Sequence, residues 1–308
     1  MNETSPLKLS VIIPTCHRDD LLARCLESLE PAKQGVAPGI YEVVVTDDGS
    51  KATAEQMIRK HFPWVRWVAG PGRGPASNRN CGAKAARAEW IAFIDDDCVA
   101  SPVWISRLLS VMATGDFDVI EGMTIIPDRI DNPFYHGVQN VAGGSYWSCN
   151  LAFLRQRFWA IGGFDEEFPL AVAEDMELAH RFTRAKFRAK FSPEALVYHP
   201  MRPGTFLYTC RRVFLVKWYV LYQYKTGVGL EGSRSRMSNV IGGIRGETHN
   251  ILRRTWRELR EFDFKYWRCS SFGLLFRLVT APLVIPLFAI WTYRYYPTFS
   301  AKGAAVPA

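Results

Sequence analysis

The chain contains no C-x-x-C pair. Its seven cysteines (Cys16, Cys25, Cys81, Cys98, Cys149, Cys210, Cys269) are odd in number. Neither a disulfide framework nor a zinc site is expected, and a reducing compartment fits best. Residues 1–8 are polar and the first apolar run reads as a strand, so no leader peptide is expected. His17, His61, His136, His180 and His249 show no ligand spacing. The segment Gly70-Pro-Gly-Arg-Gly74 lacks the Lys-Ser/Thr of a P-loop and the spacing of a dinucleotide loop. Acid is in deficit: 30 Asp and Glu stand against 38 Lys and Arg, for a net charge of +8. That balance favours anionic partners such as nucleoside diphosphates, lipid phosphates and membrane surfaces. No recognition motif accompanies the charge, so nucleic acid is not an expected partner.

What is present is a series of apolar runs ending in polar or acidic groups. Leu9–Ile13 reads as a strand stopped by Pro14 and followed by Thr15-Cys16-His17-Arg18. Tyr41–Thr46 reads as a second, followed by Asp47-Asp48-Gly49-Ser50, and Trp90–Ile94 as a third, ending in Asp95-Asp96-Asp97. Helices fit between them. Asp19–Glu30 carries Leu21, Leu22, Cys25, Leu26 and Leu29 on one face, Thr53-Ala-Glu-Gln56 reads as a capping box, and Ser77 can cap a helix running to about Ala88. Alternating strands and helices predict a parallel α/β sheet with its ligand site at the carboxyl ends of the strands.

Three adjacent carboxylates repel one another, and a hard divalent cation would offset the repulsion. Extended backbone alternates its side chains, which would aim Asp95 and Asp97 together and Asp96 away. A solvated acidic turn is the competing reading. Glu174-Asp175 opens a helix-like segment, where two acids could equally serve the helix dipole. Ala195–His199 reads as a late strand ending in an imidazole. His199 is either a Mn²⁺ ligand or an edge residue.

In order, Val11–Arg18 (Val-Ile-Ile-Pro-Thr-x-x-Arg), Asp47–Ser50, Arg79-Asn80-x-Gly82, Asp95–Asp97, Gly162-Gly163-Phe164-Asp165-Glu166 and Glu174-Asp175 resemble the motifs of family 2 glycosyltransferases of the GT-A fold. The resemblance covers roughly residues 8–200. It implies a mostly parallel central sheet with helices on both faces. Pro14, Thr15, Arg18, Asp47, Asp48, Arg79, Asp95 and Asp96 would serve the nucleotide-sugar, with Asp47 taking the base or ribose and Asp48 supporting its loop. Asp95, Asp97 and His199 would hold Mn²⁺ or Mg²⁺. Gly162–Glu166 would form the acceptor-side loop, Asp175 would be the catalytic base and Glu174 its companion. Cys16-His17 replaces the aromatic and Asn that often precede the Arg, a departure touching only the shape of the pocket.

The resemblance implies an inverting transfer of sugar from a nucleotide-diphosphate sugar to a carbohydrate or lipid-linked acceptor, in polysaccharide or glycolipid synthesis. Processive relatives carry Gln-x-x-Arg-Trp. Here Arg211–Trp218 lacks it, so transfer of a single sugar is expected. A nucleotidyltransferase and a catalytically silent membrane scaffold are the alternatives.

The catalytic domain is expected over 8–204 and a basic, aromatic, helical region over 205–308. The latter has a loop at Gly227–Gly246, arginines 253, 254, 257 and 260 on a helix, and an apolar segment, Ser270–Tyr293, long enough to span a bilayer. A spanning helix, a kinked interfacial anchor and a soluble helix compete there. Membrane attachment through this region would put the protein on the cytoplasmic face.

Overall fold

The computed structural model describes residues 7–205, 211–228 and 267–302, with isolated residues between 245 and 260. The chain divides into two compact units, Met1–Asp128 with Gly137–Pro200, and Arg129–His136 with Met201–Ala308.

The first unit is an α/β domain. Its elements begin β1 (Leu9–Thr15), α1 (Asp19–Ser28), α2 (Pro31–Gln34), β2 (Tyr41–Asp47), α3 (Glu55–His61), β3 (Arg66–Ala69), α4 (Pro75–Ala85) and β4 (Trp90–Phe93). They continue with β5 (Val99–Ala100), α5 (Trp104–Met112), β6 (Val119–Ile125), β8 (Leu151–Leu154), α6 (Arg155–Ala160), α7 (Glu174–Arg184) and β9 (Ala189–Tyr198). One eight-stranded sheet runs β3-β2-β1-β4-β8-β6-β9-β5. The half β3-β2-β1-β4 is parallel, as expected. Beyond β4 the sheet is mixed: β8 is antiparallel to both β4 and β6, β6 and β9 are parallel, and β5 is antiparallel to β9. The expectation of a mostly parallel sheet is corrected there, because β8 enters against β4 without a parallel crossover.

The faces follow from side-chain alternation along the strands. Leu9, Val11 and Ile13 of β1 enter a core with Leu22 and Leu26 of α1, Ile58 of α3 and Trp104 of α5. Ile12 points the other way, joining Ala76 and Ala83 of α4, Phe158 of α6 and Leu178 and Phe182 of α7. Pro14 does not stop β1, which pairs through Thr15 with Asp47. The reason lies in register. The amide of Ile94 bonds Ile12 O at the end of β4, and β4 offers no further ladder partner where Pro14 lacks its N–H.

In the second unit, β7 (Tyr135–His136) pairs antiparallel with β10 (Arg202–Pro203). Helix α8 (Val216–Thr226) packs on α9 (Trp267–Lys302) through Val216, Val220 and Phe288. The expected apolar segment Ser270–Tyr293 lies inside α9. No helix among the described residues is long and apolar enough to cross a membrane. The spanning reading thus finds no support among the described residues. Most of the expected Gly227–Gly246 loop (229–244), and Arg254 and Arg257 of the basic helix, lie outside the described residues.

Candidate active site

The carboxyl ends of β1, β2 and β4 meet on one edge and are stapled together by buried polar side chains. Asn78, inside α4, donates from Nδ2 to Thr15 O (3.2 Å) and Thr46 O (3.0 Å), joining the ends of β1 and β2. Asp47 is buried. It accepts the amides of Gly49 (2.8 Å) and Ala54 (2.7 Å) and lies 3.4 Å from Trp67 Nε1. Asp48 is half-buried and accepts the amides of Gly72 (2.9 Å) and Gly74 (3.1 Å). Asp47 thus braces its own loop, and Asp48 reaches across to hold 72–74. Nor does Thr53 cap α3, whose start is tied down by Asp47 instead.

The acid triplet departs from the alternation argument. Strand β4 ends at Phe93, and Cys98 N–H bonds Asp95 O at 3.0 Å, closing a turn across the three acids. Released from the pleat, each acid finds its own partner. Asp96 turns inward to accept from Thr15 Oγ1 (2.7 Å) and Arg18 (3.0 Å). Burial pushes its carboxyl up to about 6 against the pull of Arg18. Asp95 pairs with Arg79 at 2.9 Å. Buried Asp97 lies 3.6 Å from His199 Nε2 and 3.9 Å from Arg18. Asp97, Cys98 and His199 form a group whose ligating atoms lie within 4.8 Å of one another. Carboxylate and imidazole suit Mn²⁺ or Mg²⁺. Burial raises the Cys98 thiol well above its ordinary value. The residues fit a divalent cation through Asp97 and His199; Asp95, the third expected ligand, is not in that group and pairs with Arg79.

Arg79 links this turn to the expected base. It is buried, donates to Glu174 at 3.2 Å as well as to Asp95, and lies over the Phe164 ring at 5.5 Å. Burial works to lower its pKa, but Asp95, Asp175 and Glu174 outweigh burial and raise it. Glu174 is pushed up to about 8, by burial first and then by the charge of Asp175. Asp175 is also raised by burial, against the pull of Arg79. Its Oδ2 accepts the Ser148 amide at 3.1 Å, whereas its Oδ1 is shielded from solvent and accepts no hydrogen bond from the described residues. Ala173, immediately before the pair, has φ +67°, as His17 (φ +55°) and Tyr146 (φ +51°) do in the neighbouring loops. Such backbone is strained for non-glycine residues and is held only by its surroundings.

Glu121 supplies that hold for the Tyr146 loop, and sequence reasoning missed it. Buried on β6, it accepts Asn140 Nδ2 (2.7 Å) and the amides of Gly144 (2.6 Å) and Tyr146 (2.5 Å). The available signal was an acid interrupting the apolar strand Val-Ile-Glu-Gly-Met-Thr-Ile. The expected acceptor-side loop, Gly162–Glu166, is bolted to α4. Asn80 bonds both the Phe164 amide and carbonyl, and Ser77, placed inside the helix and not at its cap, donates to Glu166 at 3.0 Å. A cavity of about 450 Å³ lies beside this loop, lined by Asn80, Lys84, Trp159 and Arg181 among others.

The family described as Glycosyl transferase family 2 matches residues 10–173. The chain is 31% identical over 215 residues to validoxylamine A glucosyltransferase of Streptomyces hygroscopicus subsp. limoneus, covering 56% of this chain and 47% of that one. It is 26% identical over 244 residues to chondroitin synthase of Escherichia coli, covering 64% and 35%. The chain thus spans about half the length of the first of these curated relatives and less of the second. Among solved structures, S. aureus TarS 1-349 in complex with UDP-GlcNAc aligns with a TM-score of 0.55 at 16% identity, covering 97% of this chain and 92% of that one. The likeness is one of fold, and it fits the GT-A arrangement of the sheet.

Proposed function

The chain belongs to glycosyl transferase family 2, and we propose that it moves one sugar from a nucleotide-diphosphate sugar to an acceptor hydroxyl, with inversion at the anomeric carbon. Asp175 carries the reading. One of its oxygens is fixed by the Ser148 amide and the other has no hydrogen-bond partner among the described residues. Burial raises its affinity for a proton, as a general base near neutrality requires. A hydroxyl oriented at Oδ1 gives up its proton there while its oxygen attacks the anomeric carbon opposite the leaving diphosphate. One carboxylate on that side implies direct displacement. Glu174, tied to Arg79, keeps the start of α7 in place.

Thr15, Arg18 and Asp96, with Pro14, Asp47 and Asp48, form the nucleotide side, Asp47 taking the base or ribose. Asp97 and His199, with Asp95, would hold Mn²⁺ or Mg²⁺, which when bound supplies Lewis-acid stabilisation of the diphosphate charge. Arg79 holds Asp95 in place toward that site. The acceptor is a carbohydrate or lipid-linked sugar in polysaccharide or glycolipid synthesis, met at the cytoplasmic face of a membrane.

UDP-GlcNAc, the ligand of the TarS complex, is the first donor to try. Asp175→Asn keeps size and the Ser148 bond but removes the proton acceptor. It is expected to lower turnover about 10²–10⁴-fold while leaving UDP affinity by calorimetry near the parent value. Loss of UDP binding with turnover intact would move Asp175 to the nucleotide pocket. Release of pyrophosphate instead of a nucleoside diphosphate would favour nucleotidyl transfer.

A further inference from the structure

Residues 201–308 hold 17 of the chain's 38 Lys and Arg but only 5 of its 30 Asp and Glu. The whole positive excess therefore sits in the C-terminal third, and residues 1–200 are net acidic. Within that third, α9 is apolar on two sides. One side, Val284, Leu287, Phe288 and Trp291, packs against Val216 and Val220 of α8. The other side is open among the described residues: Leu275 is 61% exposed, Val279 64%, Leu283 59% and Ile290 59%. Pro282, Pro286 and Tyr293 are exposed beside them.

At 100° per residue these seven positions fall within an arc of about 100°, a single stripe down the helix. At a rise of ~1.5 Å per residue, the stripe from 275 to 293 is about 27 Å long. Cations and aromatics gather near one end. Lys217 Nζ lies 4.3 Å from the Trp218 ring and 5.0 Å from that of Trp291, and Arg294 Cζ lies 5.3 Å from Trp291.

We propose that this stripe is a membrane-docking face, lying in the plane of an anionic lipid surface with its side chains at the headgroup–acyl boundary. It deepens the functional reading above by naming the surface that meets the membrane, and rests on that reading only for where the acceptor lies. The stripe takes up one side of the helix while the opposite side packs on α8, so the helix lies on the bilayer with that one side toward it. Pro282 and Pro286 also supply no N–H to the preceding turn, which leaves carbonyl groups that water or headgroups can satisfy at the interface. Apolar insertion and attraction of the basic region to anionic lipid act together, as in-plane amphipathic helices require. A second copy fits the face poorly, because pairing would bring two strongly basic regions together.

The test is co-sedimentation of the full chain with vesicles, read without any substrate. Vesicles of phosphatidylglycerol and phosphatidylcholine are expected to carry the protein down, and phosphatidylcholine alone to do so weakly. The triple variant Leu275→Gln, Val279→Gln, Leu283→Gln should reduce the partition about 10²-fold or more. Its thermal midpoint should stay at the parent value, since the three positions are already exposed. A parent protein that does not sediment with phosphatidylglycerol vesicles would overturn the proposal, as would a triple variant that binds them equally well. Light scattering supplies a third check: a dimer abolished by the triple substitution would assign the face to a second copy. None of these results depends on whether the chain transfers sugar.

Discussion

Replacing Arg79 by Met tests how the site holds its own charge. The substitution keeps an unbranched, helix-compatible side chain against Phe164 and removes a guanidinium bonded to Asp95 at 2.9 Å and Glu174 at 3.2 Å. Taking one partner from a buried ion pair leaves uncompensated charge and costs about 3–5 kcal/mol. That cost should depend on pH, with a definite sign. Glu174 is raised in the folded protein to about 8 from an ordinary 4.5. A carboxyl raised on folding takes up a proton, so its penalty is absent below its unfolded value, grows as pH climbs from there to the folded value, and levels off above it. Arg79 pulls Glu174 and Asp175 down, and without it both rise further. Glu174, protonated in both folded proteins near about pH 5, should therefore add nothing to the deficit there and about 1.4 kcal/mol by about pH 9, one unit above its parent value of about 8. Urea unfolding of parent and variant at those two pH values measures it directly. Equal deficits at both would mean that Glu174 takes no part in the loss, and no deficit at either would mean the bridges do not form in solution.

Mn²⁺ should raise the melting temperature of the parent protein, and Asp97→Asn or His199→Ala should each abolish that rise; a shift that survives in both would remove them as ligands. Glu121→Gln exchanges a carboxylate accepting three hydrogen bonds for an amide that cannot accept them all, a loss of about 1.5–3 kcal/mol. As a positioning residue acting through the loop that carries Ser148, it should lower turnover at unchanged UDP affinity and speed hydrogen exchange of the Ser148 amide. Unchanged exchange at Ser148 would disconnect Glu121 from the base.

The sequence by itself determined the parallel half of the sheet, the edge where its acids collect, and the family. Those features are local: an apolar run of strand length, a polar residue where it ends, and motifs in a fixed order. It could not read how that edge is wired. Asp47 and Asp48 are adjacent and chemically alike, and the fold decides which of them is buried under Gly49 and Ala54. The alternation argument placed Asp96 away from its neighbours for a reason that lapsed once β4 ended at Phe93, because a turn, unlike a strand, does not fix which way successive side chains point. Glu121, Ser148 and Asn80 were unreadable for a different reason. Their partners lie 23–25, 27 and 84 residues away along the chain, for the loop amides, Asp175 and Phe164 respectively. No local pattern records such contacts. A buried acid in a strand is a defect until the tertiary structure brings it the loop whose amides it holds.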